Sequence, residues 1–242
     1  MSFEKVTIVI SATDENESLI KTVDSIMLSC DASDIEALLI VIPKNAHPKC
    51  ICAINFLKTK YPEKVKAFVQ HHPYIGGALR DSVNQVESSH ILFTSADIPV
   101  NLDSIPVMIE KAKAEPGKII KISRWLEKNS FIYYGKLKKM INFFAQNFLK
   151  VIFNSELTDF TTPILISPTD IYKKIVFKEW NFPCLLEAVL IPVKIGCCIE
   201  EIPAKCYSRT EGKSKNTFLQ TALYLKTALR IRFTPKSRLE KF

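Results

Sequence analysis

Short apolar runs alternate with amphipathic stretches from residue 6 to residue 123, and this alternation constrains the fold more than any other feature of the chain. Residues 6–12 read as a buried strand, and residues 15–28 as a helix with Leu19, Ile20, Val23 and Ile26 turned inward. A strand follows at 37–42, a helix near 50–61 and a strand at 65–70. Gly76 and Gly77 open a helix that runs to residue 86, and residues 91–95 form the next strand. Residues 102–114 are helical, Glu115-Pro116-Gly117 is a turn, and 119–123 is again a strand. Parallel strands need long crossovers, which helices supply. The order therefore predicts an α/β fold, a mostly parallel sheet flanked by helices on both faces.

Beyond Trp125 the rhythm changes. Residues 133–153 read as one long helix rich in Phe and Lys, followed by a strand-like stretch at 160–166. Helices are expected at 169–176 and 184–193, a strand at 198–203 and a last basic helix at 217–233, with 234–242 as a loose tail. A chain of 242 residues, 47% of them hydrophobic, can bury one large core. Its seven Cys show no paired metal spacing and read as reduced thiols of a cytoplasmic protein. The amino terminus leads straight into a strand without a secretory apolar region. No stretch reaches the ~18 uncharged apolar residues that a bilayer span needs. A net charge of +8 points to an anionic partner: a nucleotide, a nucleic acid or an acidic bilayer face. Nucleic acid is not expected, because no recognised module accompanies the charge.

Two separated signals carry chemistry. One is the strand His90-Ile91-Leu92-Phe93-Thr94-Ser95-Ala96-Asp97, which ends in a carboxylate. At the carboxyl end of a sheet strand, such a group is placed to hold a divalent cation on phosphates. The other is the stretch 201–215, where Arg209, Lys213 and Lys215 surround Gly212. A loop of this kind can close over a diphosphate and neutralise a leaving group.

Several short motifs, in order, resemble a known family. Val9-Ile10-Ser11-Ala12-Thr13-Asp14-Glu15 stands where that family opens with an apolar strand followed by Asn-Glu. Gly76-Gly77-Ala78-Leu79-Arg80 resembles its Gly-x-Ala-x-Arg helix start, and Thr94-Ser95-Ala96-Asp97 its Asp-x-Asp region. Ser123-Arg124 resembles a Ser-Arg pair, and Asp159-Phe160-Thr161-Thr162 an Asp-x-Thr-Ser motif. Arg209-x-x-Gly212-x-Ser214-Lys215 matches an Arg-x-x-Gly-x-Ser-Lys loop. Together these are similar to the family 2 glycosyltransferases of the GT-A fold, within them the dolichyl-phosphate mannose synthase-like branch. Three departures stand out. Ser95 replaces the first carboxylate, Pro99 stands where the branch often has Gln, and the second strand ends Ile42-Pro43-Lys44-Asn45 without the acidic pair that reads base and ribose.

The resemblance implies one GT-A domain over residues 1–233, with a nucleotide-binding half (1–125) and an acceptor half (126–233). It implies transfer of a sugar from a nucleotide-diphosphate sugar to a polyprenyl-phosphate or glycan acceptor, with inversion, in cell-envelope or surface polysaccharide synthesis. Thr13, Glu15, Arg80, Asp97, Arg209 and Lys215 would bind the nucleotide sugar, with Asp97 also holding Mg2+ or Mn2+. Arg124 would orient an acceptor phosphate, and Asp159 would take the proton of a hydroxyl acceptor. Each residue also has a plainer reading. Thr13 and Glu15 can start a helix, Asp97 can cap one, Asp159 can cap a turn, and Arg124, Arg209 and Lys215 can be solvated charges. His47, His71 and His72 read as loop residues, and Glu187 as a paired core charge or a group facing the acceptor. The helix at 133–153 reads as core packing by default. Its mixture of aromatics and Lys also suits a bilayer surface, where the branch places such helices. Peripheral attachment to the inner face of a membrane and association with a second copy stay open. The alternative is a non-catalytic member that binds a nucleotide sugar or a partner, supported by Ser95.

Overall fold

In a computed structural model that describes residues 2–96, 102–131, 135–205 and 218–241, the alternation becomes a seven-stranded sheet. The strands are β1 (Val6–Ser11), β2 (Ile35–Ile42), β3 (Val65–Val69), β4 (His90–Ser95), β5 (Ile119–Ser123), β6 (Leu165–Pro168) and β7 (Ile199–Pro203). Between and after them run α1 (Glu17–Ser29), α2 (Pro48–Lys60), α3 (Tyr74–Gln85), α4 (Ser104–Ala114), α5 (Lys136–Phe153), α6 (Thr169–Lys174), α7 (Pro183–Ile195) and α8 (Phe218–Phe233). The sheet order is β3-β2-β1-β4-β6-β5-β7, and only β6 runs antiparallel to its neighbours.

Strands buried on both faces must be apolar at successive positions, and β1 and β2 are. Ile8, Ile10, Leu38 and Ile40 pack with α1, α2 and α4, whereas Val9, Leu39 and Val41 face α3 and α7 on the other side. Each fully buried Ile or Leu contributes roughly 1.5–3 kcal/mol, so the central strands anchor the fold. The helices end where local chemistry stops them. Pro48 occupies the first turn of α2, and α7 closes on Gly196 in the left-handed conformation at φ 97°.

Two expectations are corrected. The strand expected at 160–166 begins only at Leu165, because the side chain of Asp159 accepts from the Thr161 and Thr162 groups and folds this stretch into a turn. The tail is docked rather than loose. Leu239 is buried, the Val176 amide donates to its carbonyl (2.9 Å), and the Lys241 amide donates to the Lys174 carbonyl (2.7 Å). Among the described residues no helix is long and apolar enough to cross a membrane.

Candidate active site

The register brings the strand ends level. Ser11 lies opposite both Val41 and Ser95, and Ser123 opposite Pro203. Loops leaving this carboxyl edge carry Thr13, Glu15 and Arg124. After β1, the amides of Thr13 and Asp14 donate to one oxygen of Glu15 (2.7 and 3.1 Å), and the Thr13 carbonyl accepts from the His47 amide (2.8 Å). Thr13 and Glu15 thus sit at the edge, with the Glu15 carboxylate bound to its own turn. Asp97, Arg209 and Lys215 lie outside the described residues.

Arg80 points elsewhere. Its guanidinium lies 3.6 Å from the Trp180 ring centroid and donates to the Glu179 carbonyl (3.0 Å). Its Nε is buried without a hydrogen-bond partner among the described residues. Gly76 explains this intimacy, since a Cβ there would lie 2.4 Å from the Glu179 carbonyl oxygen. The Gly-Gly start of α3 therefore serves close packing against the 179–180 turn. His72, read as an isolated loop residue, is paired instead: its Nδ1 lies 2.7 Å from Asp81.

Arg124 and Asp159 come together at the end of β5. Arg124 Nε and Nη2 donate to the two carboxylate oxygens (2.7 and 3.0 Å), a bidentate pair. The Arg124 amide, the Thr161 amide and the Thr162 hydroxyl donate to the same carboxylate (3.2, 3.1 and 2.8 Å). Burial alone would raise the Asp159 carboxyl; Arg124 and Lys121 beside it and the Thr162 hydroxyl hold it well below the usual carboxylate range. With no solvent contact and donors on both oxygens, Asp159 is not arranged to take a proton from a hydroxyl acceptor. It fixes Arg124.

Three supporting residues escaped the sequence reading. Lys121 is wholly buried on β5, and its ammonium donates to the carbonyls of Ile122 (2.9 Å) and Asp159 and approaches Glu201 (3.4 Å). Burial pushes its pKa down, and Asp159 and Glu201 oppose that shift. Glu201 accepts from the Thr158 amide and hydroxyl (both 2.7 Å) and from the Asp159 amide (3.0 Å). Gln146 of α5 accepts from the Phe160 amide (2.7 Å) and donates to the Thr161 hydroxyl (2.9 Å). A lone Lys inside Ile119-Ile120-Lys121-Ile122 was the available signal, because an apolar strand rarely buries an ammonium without a purpose.

Beside Arg124 lies an apolar surface. The Trp125 ring meets Phe131 and Phe143 (centroids 4.6 and 5.5 Å apart), and the Arg124 guanidinium lies 5.5 Å from the Phe131 ring. Along α5, Leu137, Met140, Phe144, Phe148 and Val151 are exposed, up to 78% at Val151, and only Gln146 and Leu149 are buried. The default reading of α5 as core packing is therefore corrected.

The antiparallel β6 inside an otherwise parallel sheet flanked by helices is the arrangement of a GT-A-type α/β fold. No protein-family model matches the sequence, and no curated protein sequence matches it. Among solved structures, the chain is similar to glucosyl-3-phosphoglycerate synthase from Mycobacterium tuberculosis in complex with UDP (TM-score 0.72, 12% identity, 97% of this chain and 82% of that one). The same synthase with Mn2+, UDP-glucose and glycerol 3-phosphate gives a TM-score of 0.69 at 14% identity, over 97% of this chain and 82% of that one. At such identities the likeness establishes the fold.

Proposed function

We propose that the protein is a nucleotide-sugar-dependent glycosyltransferase whose acceptor presents a phosphate. The observation that carries this reading is Arg124, fixed by Asp159 at the carboxyl end of β5 and flanked by the outward apolar face of α5. The donor lies over the carboxyl ends of β1 and β4, at the turn held by Thr13 and Glu15. Arg209 and Lys215 neutralise the departing nucleoside diphosphate. A phosphate monoester has a second pKa of about 6, so at neutral pH it is a nucleophile without help from a base. This suits a site whose nearest carboxylate is sealed. An acceptor phosphate oxygen attacks the anomeric carbon, the bond to the donor diphosphate breaks, and the centre inverts.

The solved relatives contain Mn2+ or Mg2+ with UDP. Among the described residues of this chain no group of His, Cys, Asp or Glu is arranged to hold a cation. Ser11 and Ser95 occupy the strand ends, and backbone amides occupy Glu15. The described residues therefore do not make a cation site. Asp97 is proposed as a ligand from the sequence alone.

A polyprenyl phosphate, the acceptor of the dolichyl-phosphate mannose synthase-like branch, fits the pairing of Arg124 with an apolar stripe. It would place the enzyme peripherally on the inner face of a membrane, in cell-envelope or surface polysaccharide synthesis. The competing reading is a non-catalytic nucleotide-sugar binder, favoured by Ser95. Incubation with UDP-glucose or GDP-mannose and a short-chain polyprenyl phosphate separates them. Release of UDP or GDP only when the lipid phosphate is present supports transfer. Nucleotide binding without release under every pairing supports the non-catalytic reading.

A further inference from the structure

A charge stands where β5 would otherwise be apolar. Lys121 has no solvent contact, and its neighbours Ile119, Ile120 and Ile122 are the residues that a buried strand needs. Its ammonium meets three acceptors: the carbonyls of Ile122 (2.9 Å) and Asp159 and the carboxylate of Glu201 (3.4 Å). Three acceptors call for three donors, which only the protonated amine supplies. Glu201 in turn accepts from the Asp159 amide (3.0 Å). Asp159 is thus held at its carbonyl by Lys121 and at its amide by Glu201, while its carboxylate holds Arg124.

Binding the turn does not require a cation. Ser123, two residues on along β5 and on the same face, meets it through a hydroxyl alone, at Thr158 (2.6 Å). Only a cation also offsets a carboxylate. Without Lys121, Asp159 and Glu201 would set two negative charges behind the single guanidinium of Arg124, and these would repel an arriving phosphate. With it, the four charges balance.

We propose that Lys121 is a positioning residue of the acceptor site. By offsetting Glu201 it leaves Arg124 in neutral surroundings, where a phosphate monoester carrying two negative charges can dock. The proposal rests on the phosphate-acceptor reading of the glycosyltransferase, and it names the dianion as the form selected.

Geranyl phosphate and its methyl diester share a tail and a phosphate, but at pH 8 the monoester carries close to two charges and the diester one. Their dissociation constants are compared by calorimetry on the full chain as wild type, Lys121→Met and the double variant Lys121→Met/Glu201→Gln. Coulomb energy scales with ligand charge, so Lys121→Met should weaken the monoester on the order of tenfold and the diester only about threefold. The double variant removes one charge of each sign. Its ratio of monoester to diester affinity should therefore match the wild type, even if both constants move together. That ratio decides the matter should Lys121→Met fail to fold. Equal weakening of the two ligands, or none, would reduce Lys121 to a support of the turn and overturn the proposal. So would a double variant whose ratio still departs from the wild type. If the wild type binds neither ligand, the phosphate-acceptor reading fails and the proposal with it, whatever UDP or GDP does to Tm.

Discussion

Arg124 reaches the carboxyl edge with its guanidinium already gripped by Asp159, which is itself ringed by Lys121, Gln146, Thr161 and Thr162. Two positive and two negative side chains, counting Glu201, balance within this cluster. Removing one member leaves buried charge without compensation. Asp159→Asn should therefore cost roughly 3–5 kcal/mol in urea unfolding despite its near-identical shape. The pH dependence has a definite sign. The Asp159 carboxyl is depressed in the folded state, so its contribution is present above the unfolded value of about 3.9 and is lost as pH falls below it. The wild type should lose stability on acidification below that value, and the Asn variant should lose less. A variant with an unchanged acid limb would show that Asp159 is not the charged partner described. Arg124→Lys tests the other side of the pair. A lysine cannot reproduce two parallel donors, so KM for the phosphate acceptor should rise on the order of tenfold while KM for the donor stays put. A rise in donor KM instead would assign Arg124 to the nucleotide.

At the scale of elements, the strands and helices up to β5 follow from hydrophobic period alone, because a strand buried on both faces and a one-sided helix leave different spacings. What periodicity cannot convey is which neighbour covers a face. The 3.6-residue pattern of α5 is the same whether its stripe meets core or water. Because α7 and α8 pack with α3 over that face of the sheet, α5 keeps only Gln146 and Leu149 buried. The stretch 160–164 misleads for another reason. Its apolar residues look like a strand until the Asp159 side chain claims the local donors, a competition invisible to pattern. Two predictions belong here. Gly76→Ala forces a Cβ to within 2.4 Å of a backbone carbonyl and should destabilise the protein by roughly 1–3 kcal/mol, read as a fall in Tm. A helix of 18 residues spans about 27 Å, long enough for its exposed stripe and Lys136, Lys138 and Lys139 to lie along an anionic bilayer. Liposomes containing anionic lipid should sediment the protein at low salt, and ~0.5 M salt should weaken the interaction by screening. Exchanging the three lysines for Glu should abolish it with Tm unchanged. Equal sedimentation by neutral vesicles would argue against this electrostatic surface.

The whole molecule places Thr13 and Glu15, after β1, and Arg124, after β5, on one sheet edge. Short motifs mark these positions in the sequence, yet they do not show that Glu15 is spent on its own turn, that Arg80 turns to Trp180, or that Lys121 underlies Asp159. Those are long-range contacts, set only once the sheet is assembled. At the carboxyl ends of β1 and β4 the fold leaves the hydroxyl residues Ser11 and Ser95, and the sequence offers one candidate, Asp97, for a cation. This makes nucleotide binding the most informative measurement on the intact protein. A ligand at 100 times its dissociation constant adds about 2.7 kcal/mol, which a thermal shift resolves. UDP or GDP should raise Tm, and Mn2+ should enlarge the shift if Asp97 holds the ion on the diphosphate. Asp97→Ala should then reduce the shift to its metal-free value, and Ser95→Asp, by restoring a second carboxylate, should leave it intact or increase it. A nucleotide shift that is the same with Mn2+, with chelator and in Asp97→Ala would remove the cation from the proposal while keeping the nucleotide site. The charge on the diphosphate would then have to be met by Arg209 and Lys215, and Arg209→Lys would become the variant that costs the most affinity.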